Sequence, residues 1–356
     1  MYNKIKIKNF RGIPGLELKN LRRFNLFVGQ NNCGKTSLLE SIFLLTGPTN
    51  VDLPVVINNF RGYRLASDYS WTVIFYKLDT RSAIQLEGEL TKPKEKRLLI
   101  INPSKETGVS KPNNSSSHFT IKESQTVRPG RINGLSMEFS IKKGGSKTGP
   151  TFLSGIKWSG EKFERSLSAP YTDSFKGIYI NPRTILEDTA QRFSEVQIKK
   201  QEATILKILQ KVEPALLDIS IGAENILYCD VGFDKRLPIN VVGEGLNKLL
   251  SIILAIYEAS GGVVLIDEIE NGLHYRAQEI LWKAIIEAAG AFDVQVFATT
   301  HSFENVKAYS SAYDKFGDGK DDLRLYRIEK EKEHTDVVDF NNEMLKTAIE
   351  SDWEVR

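Results

Sequence analysis

Cysteine and histidine are scarce in this sequence, with two cysteines, Cys33 and Cys229, and four histidines among 356 residues. Two cysteines exclude a disulfide framework and fit a reducing compartment, so we expect a cytoplasmic protein. None of these residues is spaced like a cluster of metal ligands, which leaves little basis for a structural zinc. Apolar runs are short, because none approaches the ~18 residues of a membrane helix, and the N-terminus lacks the apolar core of a secretory signal.

An excess of charge of one sign is also missing. The chain has 48 basic and 45 acidic residues, which gives a net charge of +3. That balance does not by itself indicate a nucleic-acid-binding protein. Hydrophobic residues make up 41% and charged residues 26%, as in soluble globular proteins, so a mostly disordered chain is excluded.

The N-terminal segment, 1–50, predicts a pair of strands, a buried strand and a helix. KIKIKNF and GLELKN alternate polar with apolar side chains, whereas FNLFVG is almost continuously apolar. The run TSLLESIFLL predicts a helix over Thr36–Leu45. From 51 to 180, alternating runs such as WTVIFYKL and SMEFSIKK lie among turn residues. They predict a β-rich lobe with loose surface loops at 103–117 and 142–148.

The second half of the chain changes from a single helical region to a regular alternation. Apolar spacing over 195–217 predicts a helical arm of about six turns at most. Over 235–340, helix-like and strand-like segments follow one another, among them VVLIDE, LHYRAQEILWKAIIEAA and VQVFATT. This order is typical of a parallel sheet flanked by helices, and it predicts an α/β fold.

A phosphate-binding loop is the clearest motif. GQNNCGKT matches G-x-x-x-x-G-K-[ST], follows a predicted strand and precedes a predicted helix. Its glycines let backbone N–H groups at the helix N-terminus point at phosphate oxygens. Lys35 would reach the β- and γ-phosphates, and the Thr36 hydroxyl would bind Mg²⁺, so ATP and Mg²⁺ are the expected ligands. The predicted nucleotide-binding residues of the loop are Gly29, Asn31, Asn32, Cys33, Gly34, Lys35, Thr36 and Ser37.

Two later strand ends predict the hydrolytic groups. VVLIDE is an apolar strand that delivers Asp267 and Glu268 at its carboxyl end, as in a Walker B motif. We expect Asp267 to hold Mg²⁺ and Glu268 to polarise the attacking water. FATTHS repeats the arrangement on the next strand, where the polar cluster would face the γ-phosphate and His301 would hydrogen-bond it.

These motifs resemble ABC-type ATPase heads of the RecF, SMC and overcoming-lysogenization-defect (OLD) kind, in the AAA-15/AAA-21 group. IKIKNFRGI resembles the opening strand of that family, which implies that Arg11 approaches the nucleotide. DEIENGLH followed by TTHS resembles its Walker B, D-loop and H-loop, except that Tyr275 replaces a frequent proline. The resemblance covers 1–50 and 235–340. It implies that 1–356 forms one P-loop NTPase head with a β-rich lobe and a short helical arm.

The family also carries a signature segment before the Walker B strand. Gly243, Glu244 and Gly245 occupy that place, in a GEG form that departs from LSGGQ. A helix N-terminus there offers N–H groups to a γ-phosphate. The resemblance implies that it does so in trans, which makes the protein an ATP-dependent homodimer or higher oligomer. The family's Q-loop glutamine has no clear counterpart, and Arg61 and Arg64 are candidates for a basic residue near the phosphates or for a surface loop.

The resemblance leaves two functions open beyond ATP hydrolysis. One is an ATPase that controls a nuclease-like partner effector in antiphage defence or toxin control, because we expect no room after Walker B for the nuclease domain of OLD proteins. The other is a RecF-like repair ATPase that binds DNA, against which the balanced charge argues. A non-hydrolysing regulator is disfavoured because Glu268 is present.

Overall fold

The architecture is built from a mixed six-stranded sheet, an antiparallel seven-stranded sheet and a small three-stranded sheet. The computed structural model describes residues 1–63, 68–105, 132–146, 148–159, 161–173, 175–182, 188–331 and 334–351. The strands are β1 (Tyr2–Phe10), β2 (Ile13–Leu18), β3 (Phe24–Val28), β4 (Ile84–Leu90), β5 (Glu95–Lys105), β6 (Ile132–Lys143), β7 (Thr151–Trp158), β8 (Phe163–Leu167), β9 (Gly177–Ile180), β10 (Asp218–Ile221), β11 (Leu227–Asp230), β12 (Leu237–Pro238), β13 (Val263–Ile266), β14 (Gln295–Thr299), β15 (Leu323–Glu331) and β16 (His334–Phe340). The helices are α1 (Lys35–Thr46), α2 (Leu53–Phe60), α3 (Asp68–Thr72), α4 (Thr189–Ile198), α5 (Glu202–Gln210), α6 (Ile239–Val242), α7 (Glu244–Glu258), α8 (Tyr275–Ala291), α9 (Phe303–Phe316) and α10 (Asn342–Glu350).

The six-stranded sheet has the order β16-β15-β3-β14-β13-β9, with β3 near its centre. All neighbours are parallel except β16, which pairs antiparallel with β15 at the edge. The central strands β3, β13 and β14 are buried along their whole length. Such continuously apolar strands are expected where helices or a second sheet cover both faces. Their carboxyl ends therefore meet at one edge, where an open α/β sheet binds ligands.

Alternate side chains of these strands belong to two separate cores. Val264 and Val296 pack with α7, α8 and α9 on one face, whereas Leu265 and Phe297 pack with α1 and the antiparallel sheet on the other. Helix α1 is consequently enclosed between the two sheets, and most of its residues are buried. A helix buried on most sides is rigid, and it fixes the loop that precedes it.

The antiparallel sheet has the order β2-β1-β4-β5-β6-β7-β8. The N-terminal hairpin, β1 and β2, therefore joins the strands that the sequence assigned to a lobe over 51–180. Leu86 and Ile7 are paired on β4 and β1, and both are fully buried in the core shared with α1. The lobe is thus continuous with the hairpin that opens the chain.

The observed elements agree with most of the sequence predictions and differ at three places. WTVIFYKL was expected to be a strand, but Trp71 lies in α3 and a 3-10 turn spans Tyr76–Leu78. The short helix forms because its buried Trp71 packs against β6 and β8. The predicted loop at 142–148 is shortened because β6 pairs with β5 through Lys143. The predicted loop at 103–117 falls mostly outside the described residues.

The third difference concerns the arm predicted over 195–217. The structure has two short helices there, α4 and α5, which a turn at 199–201 separates. Their apolar side chains Val196, Ile205 and Leu209 are buried in the core that contains α7 and α8. The segment packs against the head because its apolar face is wide enough to be buried there. A helix long and apolar enough to cross a bilayer does not occur in the part of the chain that the structure describes.

Candidate functional site

The loop between β3 and α1 requires glycine at two positions. Gly29 has φ 142°, and a Cβ there would lie 2.5 Å from the carbonyl oxygen of Ile328. Gly34 precedes α1 with φ 109°, a left-handed conformation that favours glycine, and a Cβ there would press on Ile13 at 3.3 Å. The loop thus curls over the N-terminus of α1, as the motif predicted, and leaves the first N–H groups of the helix for an anion.

Lys35 is the first residue of α1, and its ammonium is folded back into the loop. Nζ donates to the carbonyl oxygens of Gly29 at 2.6 Å and Gln30 at 3.0 Å, and it lies 3.8 Å from Cys33 Sγ. The side chain is buried, and these carbonyls accept the hydrogen bonds that its ammonium would otherwise make to water. A phosphate bound over the loop would meet an ammonium that is already positioned inside it.

A cavity of about 840 Å³ lies over this helix N-terminus. The predicted site residues that line it are Arg11, Asn31, Asn32, Gly34, Lys35, Thr36, Ser37, Glu268 and His301. Arg61 lines it too, together with a wall that includes Tyr63, Val73 and Phe75. Gly29 and Cys33 line a separate cavity on the other side of the loop, beside β15. Arg64 lies outside the described residues.

Asp267 follows β13 and joins three elements through its carboxylate. Oδ1 accepts hydrogen bonds from the hydroxyls of Thr299, at 2.6 Å, and Thr36, at 3.2 Å. Oδ2 accepts from the Tyr179 hydroxyl at 3.4 Å. Burial, and next the negative charge of Asp267, raise the pKa of Tyr179 well above its usual value, so the phenol keeps its proton and remains a donor. The Walker B carboxylate therefore lies directly beside the Walker A hydroxyl.

Glu268 lines the cavity and has a strained backbone conformation. Its φ is 49°, and its N–H donates to Thr299 Oγ1 at 2.8 Å. A glutamate with positive φ is uncommon and is retained where the surroundings hold it. Its carboxylate Oε1 is 3.5 Å from His301 Nε2, so the two predicted hydrolytic side chains are adjacent. Both are partly exposed, and both line the cavity.

The polar cluster at the end of β14 differs from the expectation that it faces the γ-phosphate. Thr299 and Thr300 are fully buried. The Thr299 hydroxyl makes hydrogen bonds to Asp267 and Glu268 of the Walker B segment. Thr300 Oγ1 accepts a hydrogen bond from the N–H of Ser302 at 3.1 Å. Only His301 of this cluster lines the cavity, because the threonine hydroxyls satisfy local buried donors.

Two arginines that line the cavity pair with the same buried carboxylate. Glu40, on α1, is 1% exposed; its Oε2 is 2.5 Å from Arg11 Nε and its Oε1 accepts from Arg61 Nε at 2.7 Å. Arg61 also donates to Ser37 Oγ at 3.1 Å, and Arg11 donates to Asn58 Oδ1 at 3.0 Å. Burial lowers the pKa of Arg11 and Glu40 opposes that shift, but an arginine remains charged in proteins. Two positive charges thus stand beside the phosphate-binding loop.

The signature segment lies apart from that cavity. Gly243 separates α6 from α7, and Glu244 and Gly245 form the first turn of α7. None of the three lines the phosphate-loop cavity in the part of the chain that the structure describes. The neighbouring Val241 is 67% exposed, and a Cβ at Gly243 would meet nothing within 4 Å. The N-terminus of α7 therefore lies at the surface of the chain.

Sequence reasoning missed several residues that hold this site in place. Glu40 was detectable, since a single acid within the apolar run SLLESIFLL is expected to be buried and paired. Tyr179 lies on β9, far along the chain from the Walker motifs, and only the strand order β14-β13-β9 brings it to Asp267. Lys248, buried on α7, gave no signal because lysine is common on exposed helix faces.

The chemistry of the site fits a nucleoside triphosphate with Mg²⁺. Lys35, Arg11 and Arg61 supply positive charge around a helix N-terminus, which suits phosphate groups. The hydroxyl of Thr36 and the carboxylate of Asp267 are oxygen ligands of the kind that Mg²⁺ prefers, and they already lie within hydrogen-bonding distance of each other.

Several known proteins have sequences similar to that of this chain. A family model described as AAA ATPase domain (AAA_15) matches residues 1–126 and 155–306. An "ATP/GTP phosphatase" of Helicobacter pylori is 26% identical over 334 residues, which cover 86% of this chain and 87% of that protein. An "OLD nuclease" of Thermus scotoductus is 22% identical, over 99% of this chain and 66% of that protein.

Two further similarities are more limited. A "DNA replication and repair protein RecF" of Geotalea uraniireducens is 56% identical over 43 residues, 12% of each chain. Among solved structures, an SMC head bound to the C-winged helix domain of ScpA superposes with a TM-score of 0.50 at 12% identity, over 98% of this chain and 99% of that one. This likeness confirms the predicted head fold. The chain belongs to the AAA ATPase domain family, is similar in sequence to RecF and OLD proteins, and shares the fold of SMC heads.

Proposed function

We propose that this chain is a Mg²⁺-dependent ATPase that closes as a homodimer around ATP and thereby controls a protein effector. The observation that carries the dimer is the separation of the signature segment, Gly243–Gly245, from the phosphate-loop cavity of the same chain. Its exposed helix N-terminus reaches a γ-phosphate only when that phosphate is held by a second copy. The complete site then contains parts of both protomers.

The geometry supports a separate role for each residue of one site. Lys35 and the N-terminus of α1 bind the phosphates, with Arg11 and Arg61 supplying further positive charge. Thr36 and Asp267 would hold Mg²⁺, which when bound neutralises phosphate charge in the transition state. Glu268 orients and polarises the attacking water, and His301, adjacent to it, hydrogen-bonds the γ-phosphate.

The proposed output rests on the relatives. The OLD nuclease matches this chain over nearly its whole length, while 34% of that relative lies outside the match. We infer that the ATPase acts on a nuclease-like partner in antiphage defence or toxin control. Two free, buried cysteines are compatible with a cytoplasmic setting.

A trapped variant tests the dimer and the effector in turn. Glu268→Gln is expected to bind ATP, to hydrolyse it at least ~100-fold more slowly, and to elute as a dimer with ATP and Mg²⁺. A matched control is Glu279→Gln, which changes a partly exposed glutamate on α8 that pairs with Lys315. A trapped variant that remains monomeric at saturating ATP would contradict the sandwich.

The trapped dimer, used as bait in a lysate of the source cells, tests the output. Stoichiometric capture of one nuclease-like protein supports the effector proposal. Capture of nuclease-sensitive DNA without protein would instead favour the RecF-like repair function, for which the short RecF match is the motive. Degradation of DNA by the purified protein alone would overturn the need for a partner.

A further inference from the structure

Lys248 is a buried lysine that donates hydrogen bonds to the turn after the Walker B strand. It lies on α7, one helical turn beyond Glu244 of the signature segment, and is 6% exposed. Its Nζ donates to the carbonyl oxygen of Ile269 at 2.8 Å and also to that of Asn271. A buried ammonium that spans two backbone carbonyls holds both peptide groups in place, since leaving either carbonyl or charge unpaired costs free energy.

The same turn is held from its other side by β14. The N–H of Glu268 donates to the hydroxyl of Thr299 at 2.8 Å, and the N–H of Ile269 donates to the carbonyl oxygen of Thr299 at 3.0 Å. The N–H of Asn271 closes the turn on the carbonyl oxygen of Glu268 at 2.9 Å. The turn that holds Glu268 in its left-handed conformation is thus hydrogen-bonded to Thr299 on β14 and to Lys248 on α7.

An ammonium is harder to bury at this position than an apolar side chain would be. Burial lowers the pKa of the Lys248 ammonium, and the negative charges of Glu270 and Glu268 offset only part of that shift. A leucine or methionine of similar volume would be easier to bury on a helix otherwise lined by Leu249, Ile252 and their neighbours. A charged residue here therefore points to a positional role, which packing alone does not require.

We propose that Lys248 is a positioning residue that sets Glu268 for hydrolysis by tying the turn 268–271 to the signature helix. The inference rests on the proposed function in two respects, because Glu268 has to be the hydrolytic carboxylate and the signature end of α7 has to meet ATP held by a second copy. Helix α7 begins at the signature segment, so contact of that end with ATP on a second copy is transmitted through Lys248 to the Glu268 of its own chain. Each protomer then adjusts its own hydrolysis to the occupancy of the neighbouring site.

The test is a double-mutant cycle between Lys248→Met and Glu268→Gln in the full chain, with Lys207→Met, an exposed lysine on α5, as the matched control. We expect Lys248→Met to lower kcat by about 10- to 100-fold, since misplacement of a catalytic group by ~1 Å has effects of this size. ATP affinity, measured by equilibrium binding, should stay within about twofold. In the Glu268→Gln background the same substitution should have little further effect on kcat, since the group that it positions is already gone.

Each result decides between the alternatives. Unchanged kcat in Lys248→Met, or losses that add fully to those of Glu268→Gln, would overturn the positioning role. A lower melting temperature with normal kcat per folded molecule would assign Lys248 to stability alone. If Lys248→Met does not fold, Lys248→Gln, which keeps N–H donors, is measured against the same criteria. Full turnover by Glu268→Gln would instead refute the proposed hydrolytic role of Glu268, so the two failures are distinguishable.

Discussion

The Thr36 hydroxyl and the Asp267 carboxylate form a direct hydrogen bond of 3.2 Å across 231 residues of sequence. The contact exists because β3 and β13 both flank β14, so α1 and the turn after β13 start at the same edge of the sheet. It joins the two halves of the proposed magnesium site, one from each Walker motif. A divalent cation placed between these oxygens would replace a hydrogen bond that the protein already makes.

Asp267→Asn should therefore weaken the response to Mg²⁺ more than the binding of the nucleotide. We expect kcat to fall by at least ~100-fold, with a higher Mg²⁺ concentration required for half-maximal hydrolysis. The measurement is ATPase rate against Mg²⁺ concentration, with binding of ATP in EDTA as the reference. Asp293→Asn, which alters an exposed aspartate, is the control. An unshifted Mg²⁺ dependence in Asp267→Asn would remove Asp267 from the metal site.

Lys35→Ala should abolish ATP binding. The ammonium is the charged group inside the loop, and its loss also leaves the carbonyls of Gly29 and Gln30 without their donor. We expect at least a ~100-fold weaker affinity, which corresponds to about 2.7 kcal/mol. Titration calorimetry with ATP measures the affinity, and circular dichroism checks that the variant is folded. Binding of near-normal affinity by a folded variant would contradict the phosphate role of Lys35.

Glu40→Gln should destabilise the fold, since it leaves the guanidinium of Arg11 buried without an anion and removes the partner of Arg61. Removing one member of a buried ion pair typically costs about 3–5 kcal/mol in free energy of unfolding. Urea denaturation gives the value. Glu17→Gln is the matched control, because Glu17 pairs with Lys4 on the surface and such pairs contribute only about 0–1 kcal/mol. Equal effects in the two variants would refute the assignment.

The sequence was most informative where function restricts local backbone and spacing. The phosphate-binding loop, the strand that ends at Asp267 and the parallel sheet were all predictable, because each depends on contiguous residues with a physical pattern. Tyr179 and Thr299 were not assigned to Asp267, since their contact arises from strand order and a single residue of register. Trp71 was misassigned because a buried aromatic residue favours strand by propensity, while tertiary packing placed it in a short helix.

Gly243→Trp tests whether a second copy docks at the signature segment, without disturbing the fold of the chain that carries it. A Cβ at this position would meet nothing within 4 Å, and the φ of 163° is extended backbone that any residue adopts, so we expect the isolated protomer to fold normally. We expect ATP binding to be retained and turnover to fall at least ~10-fold, because the indole would occupy the space of the partner's nucleotide. Gly245→Trp should act alike, since a Cβ there makes only ordinary contact with Leu273.

The control for this substitution is Gly290→Trp on α8, where the space is also open. ATPase rates and dimer formation by Glu268→Gln carrying each substitution give the comparison. If turnover and trapping survive at Gly243 as they do at Gly290, the signature segment does not meet a nucleotide in trans.

Lys248 should give the stability of the protein a recognisable dependence on pH. Burial lowers the pKa of its ammonium to about 8 from the usual 10.5, against the opposing charges of Glu270 and Glu268. Between these two values the unfolded chain binds more protons than the folded one, so the free energy of unfolding gains from this residue as the pH rises. Below about pH 8 the cost of burying the charge is present in full.

Lys248→Met removes this titration while leaving the other groups in place. The free energy of unfolding of the wild-type protein, minus that of the variant, should therefore increase from about pH 7.5 to about pH 10. Urea denaturation of both proteins across this range measures the difference, and Lys207→Met, altered at an exposed lysine, should show none of the increase. A difference that is flat or decreases with pH would mean that the Lys248 ammonium is better stabilised than its burial implies, with its charge fully compensated by the carbonyls of Ile269 and Asn271.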